Sequence, residues 1–507
     1  MNTHSCTHAR ALASTLCVAL LLLQLLGCGR EREVTLLSFN DFHGALVHGG
    51  IEPESQRPWG GATALVTRIR AERRAHPRRT FLLDAGDTMQ GTPESNFFFG
   101  RTTIELWNRV GVDAAALGNH EFDWGIDTLR ARVAQMRYPL LAANVFELDG
   151  RRPDWVRAAT ILERDGIRLG VVGFATPETP RVTLPQNVAT LRFVPPERIA
   201  QAVIDSVRAQ GVDLLMILCH IGATQEPDTL RGPLVRLAHS VRDVDAIVGG
   251  HTHTRVAGSA AGVPIVVANS RGRGLGKIVL HWNGRRVTRA EVAVVPIFSD
   301  SLRSPHAAVA SFVDSVRSLV RPYATRVLAR APHRLDVEAL ANVVTDAMRA
   351  AVGADVALTN VGGLRTSLQA GPITEGDLFE LIPFENTLVT ARLHSNELRA
   401  LLESQPQHAR VSGLRFTYEP KAAAGERLRA LRDASGGVFD ARRDYLVVTN
   451  NFLAHGGDGF HGFLDGRDVT WTDLRVRDVV RDWIVARAPA GELLVDSRRR
   501  TGVESAD

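Results

Sequence analysis

Residues 35–43 read Thr-Leu-Leu-Ser-Phe-Asn-Asp-Phe-His, a short apolar run that ends in a carboxylate and an imidazole two positions apart. An apolar run of that length, bounded by polar residues, is the pattern of a strand buried on both faces. The arrangement recurs: "TFLLDAGD" ends at Asp87, "AAALGNH" at Asn119 and His120, "LLMILCH" at His220, and "AIVGGHTH" at His251 and His253. In open α/β sheets, ligands gather at the carboxyl ends of strands, where loops distant in sequence converge. Such strand ends therefore predict one metal-binding cavity, to which the first stretch contributes Asp41 and His43. In extended backbone, residues two apart point to the same side, so the D-x-H and H-x-H pairs are each expected to face that cavity. Gly249 and Gly250 let the backbone pass close to it. Nitrogen and carboxylate donors without thiolate suit zinc, manganese, iron or cobalt. Cys219 is expected to face the core, and His48, His281, His306 and His461 read as ordinary surface or core histidines.

Working outward, Val34 to about Pro296 alternates short apolar runs with amphipathic helical stretches, as α/β layering requires. Further strand candidates are "RLGVVGF" and "VPIVVAN". Asp300 to Arg321 is helix-like, with Val309, Phe312, Val313, Val316 and Val320 at helical spacing, and reads as a connector. A second α/β segment runs from near His333 to about Val495, and the charged residues after it are expected to fray.

The start of the chain reads differently. A weakly basic segment ending at Arg10 precedes an apolar run, Ala11 to Leu26, of signal-peptide length. "LLGC" at its end resembles the bacterial lipobox, which implies lipidation of Cys28. Gly29 after it, in place of an aspartate, favours the periplasmic face of an outer membrane or the cell surface. Cys6 and Cys17 would be lost with the leader, so Cys28 and Cys219 remain and no disulfide framework is expected. The 507 residues carry a formal net charge of +5, almost entirely through arginine, with Lys277 and Lys421 the two lysines. No basic run has the character of a nucleic-acid patch, and the charge reads as solvated surface.

"FNDFHG", "DAGDTMQGT", "GNHEFDWG", "CHIGAT" and "GGHTHT" together resemble the calcineurin-like metallophosphoesterases of the 5′-nucleotidase branch. That resemblance implies a four-layer α/β sandwich over residues 33–298. A helical linker at 299–329, a smaller α/β substrate-binding domain at 330–496 and a polar tail at 497–507 would follow. It also implies two divalent metals, with zinc, manganese or cobalt expected. Asp41, His43, Asp87 and His253 would hold one; Asp87, Asn119, His220 and His251 would hold the other, with Asp87 bridging. Two metals roughly 3.5–4 Å apart can share a hydroxide and clamp the attacking and leaving oxygens. His120 resembles the family's catalytic histidine, paired with Asp123, while Asp84 reads as structural.

In the second half, "NVGGLRTSLQAGPIT", "LIPFENTLV" and "NNFLAHGGDGF" resemble the substrate domain of the same family. By that resemblance Phe384 and Phe452 sandwich a base, Arg365 takes the phosphate, Asp458 meets the ribose, and Asn360 adds a substrate contact. Aromatic faces stack on bases, and a guanidinium offers a planar fork to phosphate. Two departures stand out. Val361 occupies a position where the family often has glycine, and "HRLDVEALAN" places Asp336 where an arginine is expected, with Arg334 the arginine nearby. The implied activity is hydrolysis of extracytoplasmic nucleotides to nucleoside and phosphate. A 2′,3′-cyclic-nucleotide phosphodiesterase or nucleotide-sugar hydrolase is the alternative within the superfamily, and a catalytically dead surface nucleotide-binding protein the alternative from another class. The expected partners are a nucleotide and, through the lipid, a membrane, but no nucleic-acid polymer; oligomeric state is open.

Overall fold

The structure, a computed structural model, describes residues 31–227, 229–301, 304–488 and 491–503. The leader and Cys28 lie outside the described residues. Among those described, no helix is long and apolar enough to cross a membrane.

The first half is built on two six-stranded sheets packed face to face. One runs Val287–Pro296, Gly274–Trp282, Arg32–Phe39, Thr80–Asp84, Ala114–Ala116 and Leu140–Leu141. The other runs Arg255–Ala260, Val263–Ala268, Ala246–Gly249, Leu214–Cys219, Ile167–Phe174 and Ala159–Arg164. Burial of both faces of each central strand explains why its sequence shows no alternation of polarity. In Arg32–Phe39, Val34 and Leu36 point between the sheets, while Leu37 and Phe39 point outward to the helices. In Leu214–Cys219, Leu214, Met216 and Leu218 face the inter-sheet core, and Leu215, Ile217 and Cys219 face the opposite layer. Helices Ala62–Ala75 and Arg101–Val110 cover the first sheet, with Trp107 stacked 4.0 Å from Phe39. Helices Ala200–Arg208 and Pro233–Ser240 cover the second. The result is the four-layer sandwich.

Parallel pairing sets the direction of the ligand-bearing strands. Arg32–Phe39, Thr80–Asp84 and Ala114–Ala116 are mutually parallel, as are Leu214–Cys219 and Ala246–Gly249. Their carboxyl ends deliver the metal-ligand candidates to one edge of the sandwich.

The connector differs from its expected bounds. Its helix spans Ala307–Ala324, preceded by a short turn at Ser299–Ser301. His306, after Pro305, caps it by accepting the Val309 N–H on Nδ1 at 3.1 Å, which places the start there. Val309 and Val313 belong to the first half's core, so the connector is docked on that half along its N-terminal turns.

The second half carries a five-stranded sheet in the order Ala409–Ser412, Val356–Asn360, Asp444–Asn450, Thr387–His394 and Arg467–Arg475. Helices Val337–Val352 and Val476–Arg487 pack on one face and Ser395–Ser404 on the other. The expectation of a frayed tail is wrong for residues 497–503. Thr501–Val503 adds a parallel strand beside Leu414–Tyr418, and Arg500 pairs with Asp346 at 2.7 Å. The arginine-rich composition that suggested a solvated end instead supplies ion pairs and backbone caps to the body of the domain: Asn342 Nδ2 donates to the Asp496 carbonyl at 2.6 Å and to that of Arg498 at 3.0 Å.

Candidate metal centre and substrate cavity

Asp41 and His43 follow the strand Arg32–Phe39, but they are not extended. Their φ values are both 49°, and His251 and His253 stand at 75° and 54°, all in the left-handed region. The D-x-H and H-x-H pairs therefore reach the cavity through tight left-handed loops, not through strand alternation. Aspartate, asparagine and histidine tolerate that region better than branched residues, and strained backbone clusters at functional sites. Asp87, at φ 56°, shares the feature.

Asp41, His43 and His253 bring one ligand atom each within 4.8 Å of one another, and so do Asp87, His220 and His251. His43 Nε2 and His253 Nε2 face each other at 3.0 Å, and His253 Nε2 lies 3.2 Å from Asp41 Oδ1. His220 Nε2 lies 3.0 Å from Asp87 Oδ2 and 3.9 Å from Asp41 Oδ1, which draws the two triads together. Buried Asp41 Oδ1, Asn119 Oδ1 and His220 Nε2 make no well-aligned hydrogen bond, close as the first and last stand to His253 and Asp87. Leaving three buried polar atoms unpaired costs about 1–3 kcal/mol each, so a group that accepts lone pairs belongs among them. Divalent cations fit this donor set. Burial, then the neighbouring His253 and Arg365, push His43 well below the ordinary histidine value, which keeps its ring neutral and able to donate a lone pair.

The supporting contacts are as specific as the ligands. His220 Nδ1 bonds the Ala85 carbonyl at 2.7 Å and His43 Nδ1 the Gln90 carbonyl at 2.9 Å, so each ring presents Nε2 to the centre. Glu121 accepts the backbone N–H groups of Asp87, Thr88 and Gly118 at 2.8–2.9 Å. Asn40 Nδ2 donates to Asp41 Oδ2 at 2.6 Å, and its Oδ1 accepts from Ala268. A Cβ on Gly118 would sit 2.2 Å from Asp87 Oδ1. Sequence reasoning did not single out Glu121 or Asn40, although both lie inside motifs it used. Asp84, pushed up to about 8 by burial, accepts from Gly86 and Thr88 behind the loop.

His120 stands apart from both triads. Its Nδ1 lies 2.9 Å from Asp123 Oδ2 and its Nε2 4.0 Å from Asp87 Oδ2. Burial pushes the ring's pKa down, but Asp123 and Asp87 outweigh it and hold the pKa above the ordinary histidine value. Its backbone N–H donates to Asp87 Oδ1 at 2.8 Å.

The second half closes over this centre. Arg365 Nη2 lies 3.4 Å from His43 Nε2, and the Phe384 ring stacks on His120 with centroids 5.7 Å apart. Asn360 Nδ2 donates to Asp458 Oδ2 at 2.6 Å. A cavity of about 310 Å³ lies between the halves, lined by Asp87, Asn119, His120, Asp123, His251 and His253 on one side. Asn360, Arg365, Phe384, Phe452 and Asp458 line the other. Asp41, His43 and His220 are buried behind its lining, with His43 against His253 and His220 against Asp87. Trp124, Val182, Thr183 and Leu184 are also part of the wall. Trp124 follows the "HEFD" motif, but no motif marks residues 182–184. Arg334 does not serve as the compensating arginine: it is exposed and donates to Ser367 at 3.3 Å, while Asp336 caps the helix Val337–Val352 through the Ala339 N–H.

A double-sheet sandwich with two metal-ligating triads at one edge defines a metal-dependent phosphoester hydrolase. Residues 34–255 match the calcineurin-like phosphoesterase family, and residues 316–465 match the 5′-nucleotidase C-terminal domain. The chain thus joins a calcineurin-like phosphoesterase domain to a 5′-nucleotidase C-terminal domain. It is similar to a 5′-nucleotidase of Diplobatis ommata, 26% identical over 93% of this chain and 90% of the relative. It is also similar to endonuclease YhcR of Bacillus subtilis, 24% identical over 83% of this chain, and spans 37% of that longer protein. A 5′-nucleotidase precursor structure from Thermus thermophilus superposes with a TM-score of 0.83 at 27% identity, covering 94% of this chain and all of the other.

Proposed function

We propose that this protein hydrolyses nucleotides to nucleoside and phosphate. The observation that carries this reading is the cavity that Asp87, His251 and His253 of the two candidate metal triads line together with the His120–Asp123 pair and the Phe384 ring. Asp41, His43 and His253 would hold one divalent ion and Asp87, Asn119, His220 and His251 the other, with Asp87 between them. Zinc, manganese or cobalt is the expected metal. The chemistry such ions supply is activation of water at neutral pH and neutralisation of phosphoryl charge.

The chain's own groups account for the rest. Arg365, beside the ligand imidazole of His43, offers its fork to the phosphate oxygens. His120, oriented by Asp123, holds a proton where charge develops on the phosphoryl or leaving oxygen. Asn360 and Asp458 form a hydrogen-bonded pair suited to ribose hydroxyls, and Phe384 and Phe452 offer faces on which a base stacks. The names of the relatives agree with nucleotide chemistry. The "LLGC" signal supports export and anchoring through Cys28, outside the cytoplasm.

The test is phosphate release from mono-, di- and triphosphates, cyclic nucleotides and nucleotide sugars, with and without added metal. Metal-dependent release from nucleoside monophosphates is the expected outcome. Release from none of the nucleotides would refute the reading, and a preference for cyclic or sugar nucleotides would move it to the phosphodiesterase or nucleotide-sugar alternative.

A further inference from the structure

The loop that carries Phe384 has an unusual set of anchors. It lies between the helix Glu375–Leu381 and the strand Thr387–His394. Its carbonyls are taken from outside. Those of Ile382 and Phe384 accept from Arg477 Nη1, at 3.0 and 3.5 Å. That of Asn386 accepts the Val476 N–H at 2.9 Å, and that of Pro383 accepts from Asn96 Nδ2 of the catalytic half at 3.1 Å. Arg477 Nη2 also holds Glu385 Oε1, and the guanidinium lies over the Phe379 ring, 4.0 Å from its centroid. Arg477 is 6% exposed. Pro383, Phe384, Glu385 and Asn386 all line the cavity, whereas Arg477 does not.

We infer that Arg477 is a positioning residue for nucleoside recognition: it fixes the Ile382–Glu385 loop so that the Phe384 ring is held ready for a base before substrate arrives. The inference rests on the base-stacking role given to Phe384 above. The chemistry favours arginine over any other cation. A planar fork of five donors satisfies two carbonyls and a carboxylate at once while its face stacks on an aromatic ring. Lysine, a point charge with rotatable donors, cannot hold the same loop in one geometry. A loop already ordered spares the binding step the entropy of ordering it. On the other side, Asn96 ties Pro383 to the metal-bearing half, since its Oδ1 accepts the Gly91 N–H at 2.8 Å, next to the Gln90 carbonyl that orients His43. Arg477 thus holds the loop within its own domain, and Asn96 adds a backbone anchor from across the cleft, beside the stacking of Phe384 on His120.

The test compares Arg477→Lys and Arg477→Met with the parent enzyme, metal-loaded, on AMP and on 4-nitrophenyl phosphate, with adenosine as a competitive inhibitor of the latter. Release of one ordered loop should raise the KM for AMP and the inhibition constant for adenosine roughly 2- to 12-fold. Turnover of 4-nitrophenyl phosphate, which has no base, should stay close to that of the parent. Arg481→Ala is the control on the same helix, because Arg481 pairs with Asp478 and Asp482; it should move neither substrate. Equal losses on both substrates in a folded, metal-loaded Arg477→Lys would make Arg477 merely structural and overturn the inference, as would no change on either. Phe384→Ala, measured alongside, separates the two readings. If it spares nucleotides, the base-stacking role itself falls; if it is selective while Arg477→Lys is not, only the positioning role falls.

Discussion

Replacing His120 by asparagine isolates the proton-holding group from the metal ligands. The His120 backbone N–H, which donates to Asp87 Oδ1 at 2.8 Å, survives the substitution, so the Asp87 carboxylate keeps that support. The ring's closest approach to a ligand carboxylate is 4.0 Å, and neither triad includes it. Metal content should therefore be unchanged. Turnover should fall on the order of 10²–10⁴, the range for a positioned acid–base group, which is about 2.7–5.4 kcal/mol of barrier. With the ring 8% exposed, water has little access to replace it, which favours the upper part of that range. Asp123→Asn tests the partner. It removes the leading contribution that raises the His120 pKa and leaves burial to push it down. The alkaline limb of the kcat profile, along which the ring loses its proton, should then move to lower pH. The measurements are bound metal by elemental analysis and kcat against pH on one nucleotide. Loss of metal in His120→Asn would make the residue a ligand; parent-like turnover would remove it from the chemistry altogether.

Asp87→Asn should lower metal content at both sites and cost more activity than His251→Asn, because in the proposed ligand set Asp87 would serve both ions; equal stoichiometry in the two variants contradicts the bridging role. Phe452→Ala should weaken nucleotide binding by ~1–3 kcal/mol, or roughly 5- to 150-fold, the value of base–aromatic stacking, while sparing 4-nitrophenyl phosphate. Gly457→Ala should act in the same direction, since the added Cβ would sit 2.5 Å from the Phe452 ring and displace it; a parent-like KM for nucleotide would count against the ring's role. Cys28→Ser should release the protein from the membrane or trap it unprocessed, read by fractionation of activity; identical fractionation contradicts the lipoprotein reading.

The ligand set is legible in the sequence because a parallel sheet makes a local rule do long-range work. Each strand ends on the same edge, so a polar donor just past an apolar run is brought to its counterparts without any knowledge of their separation in sequence. The expected residues meet even though strand alternation is not what aims them. Asp41 and His43 converge through left-handed loops, a backbone state that a pattern of apolar and polar positions does not encode. Contact set by a distant element is equally invisible in sequence. Arg334 is the arginine nearest to Asp336, where a phosphate-binding arginine is expected, yet it faces solvent. Arg477, ninety-three positions after Phe384, grips the loop that carries the ring.

The same logic accounts for the boundaries. A connector read from helical spacing alone has no stated partner, so Val309 and Val313 look like the stripe of an isolated helix; the structure assigns them to the first half's core. That placement bears on how the halves can move. The connector's first turns are fixed to the catalytic half, whereas Tyr323 near its end meets Phe97, which itself packs on Phe379 of the second half at 5.4 Å. Rotation of the second half would break the Phe97–Phe379, Arg271–Glu380 and Asn96–Pro383 contacts and leave Val309 and Val313 in place. A segment that absorbs such a rotation would therefore lie after Val313, because the turns before it are held by Val309 and Val313 in the catalytic half's core.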